Sequence, residues 1–431
     1  WHGLNIPLLM SVIALVGGIA VYACRRRLFA WYARLPEIDA KRVFEGRIQA
    51  VVRLAAGVTR RLQTGSLQGY VAWVLALVAA VLVWQLPNLA SVTGERAMLP
   101  VDGVSVLCAL MLIAAALLTT VLHRQRMMAI ICLSVVGLIV SLIFVRFSAP
   151  DLALTQLSVE VVSVLLLMLA MYFLPARAKA DSNSLRVGRD AVLAVLIGTG
   201  VAVAALLVMT TDIATISPFF LENSVPGGGG TNVVNVILVD FRGFDTFGEI
   251  TVLGIAALGI YALLSDLKLV SAKYDPFGRP WAHDAHPLVL VTLSRPLLPL
   301  ALMIAVYIFL RGHNLPGGGF VAGLITSVAL LLQYVASGVT WVHKRIPGDY
   351  HPLVALGVLL AGLTGGASWA FDAPFLTSTF THVHLPMIGD FELASAMLFD
   401  TGVFLTVVGA TLLILANLGK LSLLDDKKET T

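Results

Sequence analysis

Apolar residues run along this 431-residue chain in long blocks separated by short polar stretches. Ten blocks, at roughly 6–24, 67–86, 104–122, 129–147, 153–174, 190–210, 295–310, 318–337, 351–370 and 395–418, have lengths that suit a membrane. A helix rising 1.5 Å per residue needs roughly 20 residues to cross about 30 Å of hydrocarbon. An eleventh block, 232–264, would measure about 50 Å as one helix, so a break or tilt is expected inside it, with Gly243 as the natural breaking point. Lipid cannot hydrogen-bond a bare backbone, which leaves helices or a closed barrel. Stretches such as Val71 to Leu86 lack the two-residue alternation of barrel strands. The pattern therefore predicts an all-α polytopic membrane protein with about eleven transmembrane helices. Residues 25–66 break the pattern: Phe44, Ile48, Val51, Ala55, Val58 and Leu62 recur at helical spacing, while Lys41, Glu45, Gln49, Arg53 and Arg60 line another face. That is an amphipathic surface helix, read either as a strap across neighbouring subunits or as an ordinary interfacial helix between two spans.

Composition agrees. Hydrophobic residues make up 58% and charged ones 13%, and the mean hydropathy is +0.91, against about 25% charged residues in soluble domains. The net charge of +4 is scattered over loops, so nucleic-acid binding is excluded and the lipid bilayer is the expected surrounding. Lysine and arginine concentrate in one alternate set of loops: Arg25 to Arg61, His123 to Arg126, Arg177 to Arg189, Lys268 to Arg279, Lys344 with Arg345, and Lys420, Lys427 and Lys428. The positive-inside rule makes these cytoplasmic, placing residue 1 outside and the C-terminus inside. Cys24, Cys108 and Cys132 have no CxxC or cysteine–histidine spacing, so no disulfide or metal framework follows. The chain begins at Trp1 without a charged leader and is expected to be a segment of a longer protein.

The chemistry is expected where ionisable groups enter apolar blocks, each at a cost of at least about 2.5–3.5 kcal/mol unless partnered. Gln156, Glu160 and Ser163 form a polar stripe on the fifth span. Glu160 reads either as an exchangeable proton carrier or as a neutral acid locked in interhelical hydrogen bonds. In the overlong block, Arg242, Asp245 and Glu249 share one helical face and Asp240 points roughly the other way: an ion or proton site, or a structural ion network at a helix end. Asp400 stands one to two turns inside the last span, with Glu392 and Ala396 on the same face. That is a cation funnel or a carboxylate stabilised at a helix start. His123, Arg126, Arg146 and Asp151 flank the third to fifth spans as interfacial anchors, with relay duty as the alternative for His123. His382 and His384 near Asp390 lack a third metal ligand of clear spacing. No metal is expected beyond a possible Na+ at Glu160 and Asp240. Two glycine-rich loops resemble each other, Asn223-Ser-Val-Pro-Gly-Gly-Gly-Gly and Asn314-Leu-Pro-Gly-Gly-Gly. Neither carries the Walker lysine and hydroxyl, so tight backbone packing is expected of them. No nucleophile elbow, HExxH, haem or dinucleotide motif appears, so no enzyme and no cofactor is expected.

The motifs that carry a resemblance are long. Asp151-Leu-Ala-Leu-Thr-Gln-Leu-Ser-Val-Glu160 and Asn235-Val-Ile-Leu-Val-Asp-Phe-Arg-Gly-Phe-Asp-Thr-Phe-Gly-Glu249 resemble the C-terminal extension of the large A-type component of Mrp-type multisubunit cation/proton antiporters. Ser294-Arg-Pro through Gly312-His-Asn-Leu-Pro-Gly-Gly-Gly-Phe-Val-Ala-Gly, with Leu398-Phe-Asp-Thr-Gly-Val-Phe, is similar to the small B-type component, which some bacteria fuse to A. The resemblance implies three parts: 1–100 as the end of a complex I-like core with a lateral helix at 25–66, 101–270 as the A-type extension with five spans, and 271–431 as a B-like four-helix domain. It implies a secondary transporter subunit in a bacterial inner membrane, exchanging Na+ or K+ for H+ beside C, D, E, F and G type subunits. Glu160, Asp240, Asp245 and Glu249 match the extension's acidic positions. The core's central spans, with their lysine and glutamate, are expected upstream of Trp1. Two alternatives stay open: a component of a redox-driven pump related to complex I or a membrane-bound hydrogenase, and a non-conducting scaffold.

Overall fold

The computed structural model describes residues 5–34, 39–85, 93–96, 100–171, 177–178, 183–265, 288–338, 341–342, 349–385 and 389–423. The expected basic stretch 268–279, Lys344 with Arg345, and Lys427 with Lys428 lie outside them. In chain order the helices are α1 (Ile6–Ala23), α2 (Arg25–Tyr32), α3 (Ala40–Leu62), α4 (Leu67–Gln85), α5 (Gly103–Val121), α6 (Arg126–Arg146), α7 (Pro150–Met171) and α8 (Ser184–Thr210). They continue as α9 (Ser217–Gly228), α10 (Val233–Val236), α11 (Gly243–Ser265), α12 (Leu288–Arg311), α13 (Gly319–Ser337), α14 (His351–Ala367) and α15 (Ala396–Leu423). Eleven of them, α1, α4 to α8 and α11 to α15, are long and apolar enough to cross a membrane. This is an all-α polytopic membrane protein.

The chain divides into two compact units, residues 1–94 with 182–211, and residues 95–181 with 212–431. In the first, α4 packs on α8. Gln68 Nε2 donates to Asp190 at 3.1 Å, and Gly94 N donates to Thr210 Oγ1 at 2.7 Å. The amphipathic segment holds two helices, α2 and α3, with Pro36 in the sequence between them. Asp39 starts α3 by accepting from Lys41 N at 2.9 Å, an N-cap worth about 1 kcal/mol. Within this unit Phe44, Ile48, Val51, Val58 and Leu62 remain exposed along one stripe of α3.

In the second unit α13 is the hub: α7, α12 and α15 all pack against it, and most of its residues are buried. Helices α14 and α15 approach closely where Gly357 meets Gly402. A Cβ on Gly402 would lie 2.6 Å from Gly357 O, and one on Gly357 would lie 2.4 Å from Thr406 Oγ1. Small residues at such crossings let helix backbones touch in lipid, where dispersion drives association. Phe399, Val403 and Val407 of α15 fill the core beside Val162, Val239, Ile250 and Leu324.

The overlong block breaks as expected, but the break is longer than one glycine. After α10 the backbone winds into a π-helical turn, Ile237–Phe241, and Arg242 leaves helical geometry before α11 starts. Three elements differ from the sequence reading. Asn223 to Gly228, expected as loop, forms the end of α9, which stops at Gly229 in the left-handed region. Two short strands, β1 (Phe380–Leu385) and β2 (Gly389–Ala394), pair antiparallel. Glu392 therefore belongs to a strand, paired with His382, and shares no helical face with Ala396 and Asp400.

If the Gly357–Gly402 contact holds the second unit together, Gly402→Ala lowers stability by about 1–3 kcal/mol, the cost of an overpacked core. Thermal unfolding in detergent reads this against Gly46→Ala, whose added carbon meets nothing within 4 Å. Equal melting of the two variants would contradict the assignment.

Candidate ion-path site

One end of the second unit gathers most of its polar chemistry. The start of α7, the turn before α11, the end of α12 and the starts of α13 and α15 all meet there. The glycine-rich loop 312–319 lies at its centre. At Gly318 the backbone has φ +100°, a conformation open to glycine. The loop leaves backbone groups without helical partners, and side chains supply them. Asp151, at the start of α7, accepts from Gly317 N at 3.0 Å and from Asn232 Nδ2 at 3.4 Å. Asn232 Nδ2 also donates to the carbonyls of Gly312 and Leu315, both at 3.0 Å. Asp400 accepts from Gly319 N at 2.8 Å.

The second glycine run joins the first. Thr231 N donates to Asn314 Oδ1 at 3.0 Å, Asn232 N to His313 O at 3.1 Å, and His313 Nε2 lies 2.9 Å from Gly228 O. The two similar loops are thus one structure. The packing role expected of them extends to a knot that positions two carboxylates. Asn235, Phe309, His313, Met397 and Asp400 line a cavity whose volume open to water centres is about 10 Å³, room for about one water.

The other expected residues take separate places around this knot. Asp240, in the π-helical turn, accepts from Ser378 Oγ at 2.6 Å and from Ser378 N at 3.3 Å. Arg242 pairs with Asp245, as their spacing predicted. Glu249 is exposed on α11, one turn beyond, and takes no part in that pair. Glu160 lies about 13 Å of helix rise along α7 from Asp151. Its carboxylate rests on α6 where Gly137 leaves space: a Cβ there would sit 2.0 Å from Glu160 Oε2. Glu160 has no hydrogen-bond or ion-pair partner among the described residues. Gln156 is half-buried and Ser163 exposed on the same helix.

His123 Nδ1 lies 2.7 Å from Thr120 O at the end of α5, away from the acids. Arg146 and Asp102 form a 3.3 Å ion pair at the opposite end of that helix. Hydrogen bonds from Ser105 and the Arg146 guanidinium hold the Asp102 carboxyl below its usual range. His382 and His384 lie in β1 opposite Glu392 and Asp390. Among the described residues no three histidine, cysteine or acidic side chains converge on a metal-sized site. Sequence reasoning missed Asn232, His313 and Ser378, and took Asp151 for a surface anchor. Asn232 and His313 carried a signal, each adjoining a glycine run. Ser378 carried none, lying 138 residues from Asp240.

The family described as "Domain related to MnhB subunit of Na+/H+ antiporter" matches residues 289–413. The families of the MBH D and E subunits match 110–176 and 185–273. The Na(+)/H(+) antiporter B subunit of Bacillus subtilis (strain 168) is 44% identical over 31% of this chain and 93% of its own length. The chain belongs to the Mrp-type multisubunit antiporter family. The probable K(+)/H(+) antiporter A/B subunit of Rhizobium meliloti (strain 1021) is 40% identical over 96% of this chain, which spans 45% of that relative. A chain of the Mrp complex from Dietzia sp. DQ12-45-1b superposes with a TM-score of 0.76 at 30% identity. It covers 97% of this chain, which in turn covers 46% of it. This family member thus spans less than half the length of the A/B-type relative. Along the chain the family matches run in the order MBH D, MBH E and MnhB-related.

If Asp151 holds the glycine loop, Asp151→Ala loosens it by the roughly 1.5–3 kcal/mol of a hydrogen bond to a charged group. Amide exchange at Gly317 should then rise roughly ten- to a hundredfold, with α5 and α6 unchanged. Unaltered exchange at Gly317 would show that the loop is held otherwise.

Proposed function

We propose that this chain is the A/B-type membrane component of a multisubunit monovalent cation/proton antiporter, exporting Na+ or K+ in exchange for H+ through intramembrane carboxylates. The observation that carries this is Glu160: a carboxylate deep in a transmembrane helix, held against Gly137, with no basic partner among the described residues. A structural ion pair would not leave it so. An unpaired carboxylate at that depth binds either a proton or a small cation, and loading one expels the other. Asp240 and Asp400, near the glycine-loop end, form the approach from that side. Asp240 has a hydroxyl ligand in Ser378, and Asp400 borders a one-water cavity with Asn235. Arg242 and Asp245 form a compensated pair beside Asp240, and Glu249 extends the same acidic face.

The glycine-loop end is then external, and the surface helices α2 and α3 lie on the cytoplasmic side of a bacterial inner membrane. The positive-inside distribution supports this orientation. C, D, E, F and G type subunits complete the complex. The chain acts within a secondary transporter and not as an enzyme, with Na+ or K+ and H+ as the transported ions and no cofactor. Likeness to relatives named as antiporter subunits favours this over a redox-driven pump.

The test is cation-dependent proton exchange in membrane vesicles carrying the whole complex. Glu160→Gln and Asp240→Asn are each expected to lower the rate at least about tenfold, in complexes that run intact on native gels. A complex that assembles and exchanges at the wild-type rate with both acids replaced would favour the scaffold reading.

A further inference from the structure

The first unit holds a cavity of its own, lined in part by charged side chains. Helices α4 and α8 pack together and run the same way, because Gln68 meets Asp190 near their starts. Gln68, Ala72 and Ala76 recur at i, i+4 and i+8 on α4, so they share one face of that helix. Arg186, Arg189 and Leu193 recur at i, i+3 and i+7 on α8 and share a face likewise. Both faces, with Ser66 of the preceding loop, line the cavity. The volume open to water centres is about 540 Å³, more than thirty times the roughly 10–15 Å³ that one water needs.

The cavity is graded from polar to apolar. Ser66, Gln68, Arg186 and Arg189 line it where the helices begin, while Ala76 and Leu193 line it about 10–12 Å further along. The polar end joins the surface helix directly, since only residues 63–66 separate the end of α3 from the start of α4. With its exposed apolar stripe and with Arg60 and Arg61 in its last turn, α3 suits the boundary between headgroups and acyl chains. The arginines therefore stand at headgroup level and Ala76 at acyl-chain depth. Charge selects the occupant. Arg189 pairs with Asp190 at 2.7 Å, and Arg186 acts on the same carboxylate. Two guanidiniums of the lining thus share one carboxylate, which leaves a positive charge over for a ligand. A guanidinium binds phosphate through paired, charge-assisted hydrogen bonds.

We infer that the α4–α8 cavity is a site for an anionic phospholipid. Its phosphate lies between Arg186 and Arg189, and one acyl chain runs past Trp73 toward Ala76 and Leu193. Trp73 lines the cavity and is 60% exposed, as suits a ring that borders a lipid. Glu160, Asp240 and Asp400 all belong to the other unit, so this site does not depend on the ion-exchange reading.

The experiment uses the complete complex, washed in detergent, with a photoreactive amino acid at Trp73 or, as control, at Val74, which is 63% exposed beside it and does not line the cavity. Phosphatidylglycerol is the probe, and diacylglycerol with the same chains is its phosphate-free counterpart. The site predicts phosphatidylglycerol adducts at Trp73 at least about fivefold above Val74, and at least about threefold above the diacylglycerol adducts at Trp73. Arg186→Gln, which leaves the Arg189–Asp190 pair in place, should lower the phosphatidylglycerol yield at Trp73 at least about threefold and leave the diacylglycerol yield unchanged. Excess glycerol 3-phosphate, which carries the phosphate without the chains, should displace little of the lipid. Equal adducts at both positions, a yield indifferent to Arg186→Gln or to the phosphate, or full displacement by glycerol 3-phosphate would overturn the proposal. So would adducts joining Trp73 to another protein of the complex in place of lipid. Should the reporter at Trp73 prevent assembly, native mass spectrometry of the washed complex decides: Arg186→Gln must retain one phosphatidylglycerol fewer than the unaltered protein, and equal retention would contradict the site.

Discussion

Backbone that leaves helical geometry inside lipid must find its hydrogen bonds within the protein, and this constraint organises the second unit. The glycine loop 312–319 and the π-helical turn at 237–241 are the two places where the helices open. In both, carboxylates and carboxamides take over the pairing: Asp151 and Asn232 around Gly312 and Gly317, Asp400 at Gly319, and Asp240 at Ser378 N. Asp151, Asp240 and Asp400 are thus held where the backbone is broken, whereas Glu160 stands on the unbroken helix α7.

The same arrangement separates the acids. Val162 lies near Glu160 in the chain, Val239 adjoins Asp240 and Phe399 adjoins Asp400. All three valine and phenylalanine side chains belong to one apolar cluster. The carboxylates stand around this cluster with their apolar neighbours turned into it. Of Glu160, Asp240 and Asp400, Glu160, about mid-helix, lies farthest from the glycine-loop end.

Much of this was legible in the residues. Span number and position follow from length and composition alone, because lipid leaves the backbone only one simple solution. The Arg242–Asp245 pair followed from i, i+3 spacing, and the break near Gly243 from excess length. What failed was long-range. Asp151 read as a surface anchor because its partners, Gly317 and Asn232, lie 166 and 81 residues away. Glu392 read as helical because the strand pairing that holds it is not signalled by periodicity over so few residues. Asn223 to Gly228 read as loop because its glycines and Pro226 disfavour a helix. The segment is nonetheless helical, with Ser224 and Gly228 buried.

The central claim is that these carboxylates exchange a proton for a metal cation. Infrared difference spectra of the complete complex, recorded on adding Na+ or K+, test it most directly. The account predicts loss of a protonated carboxyl C=O band on cation binding, with the band diminished in Glu160→Gln and in Asp240→Asn. A spectrum without that band, or one identical in both variants, would contradict it.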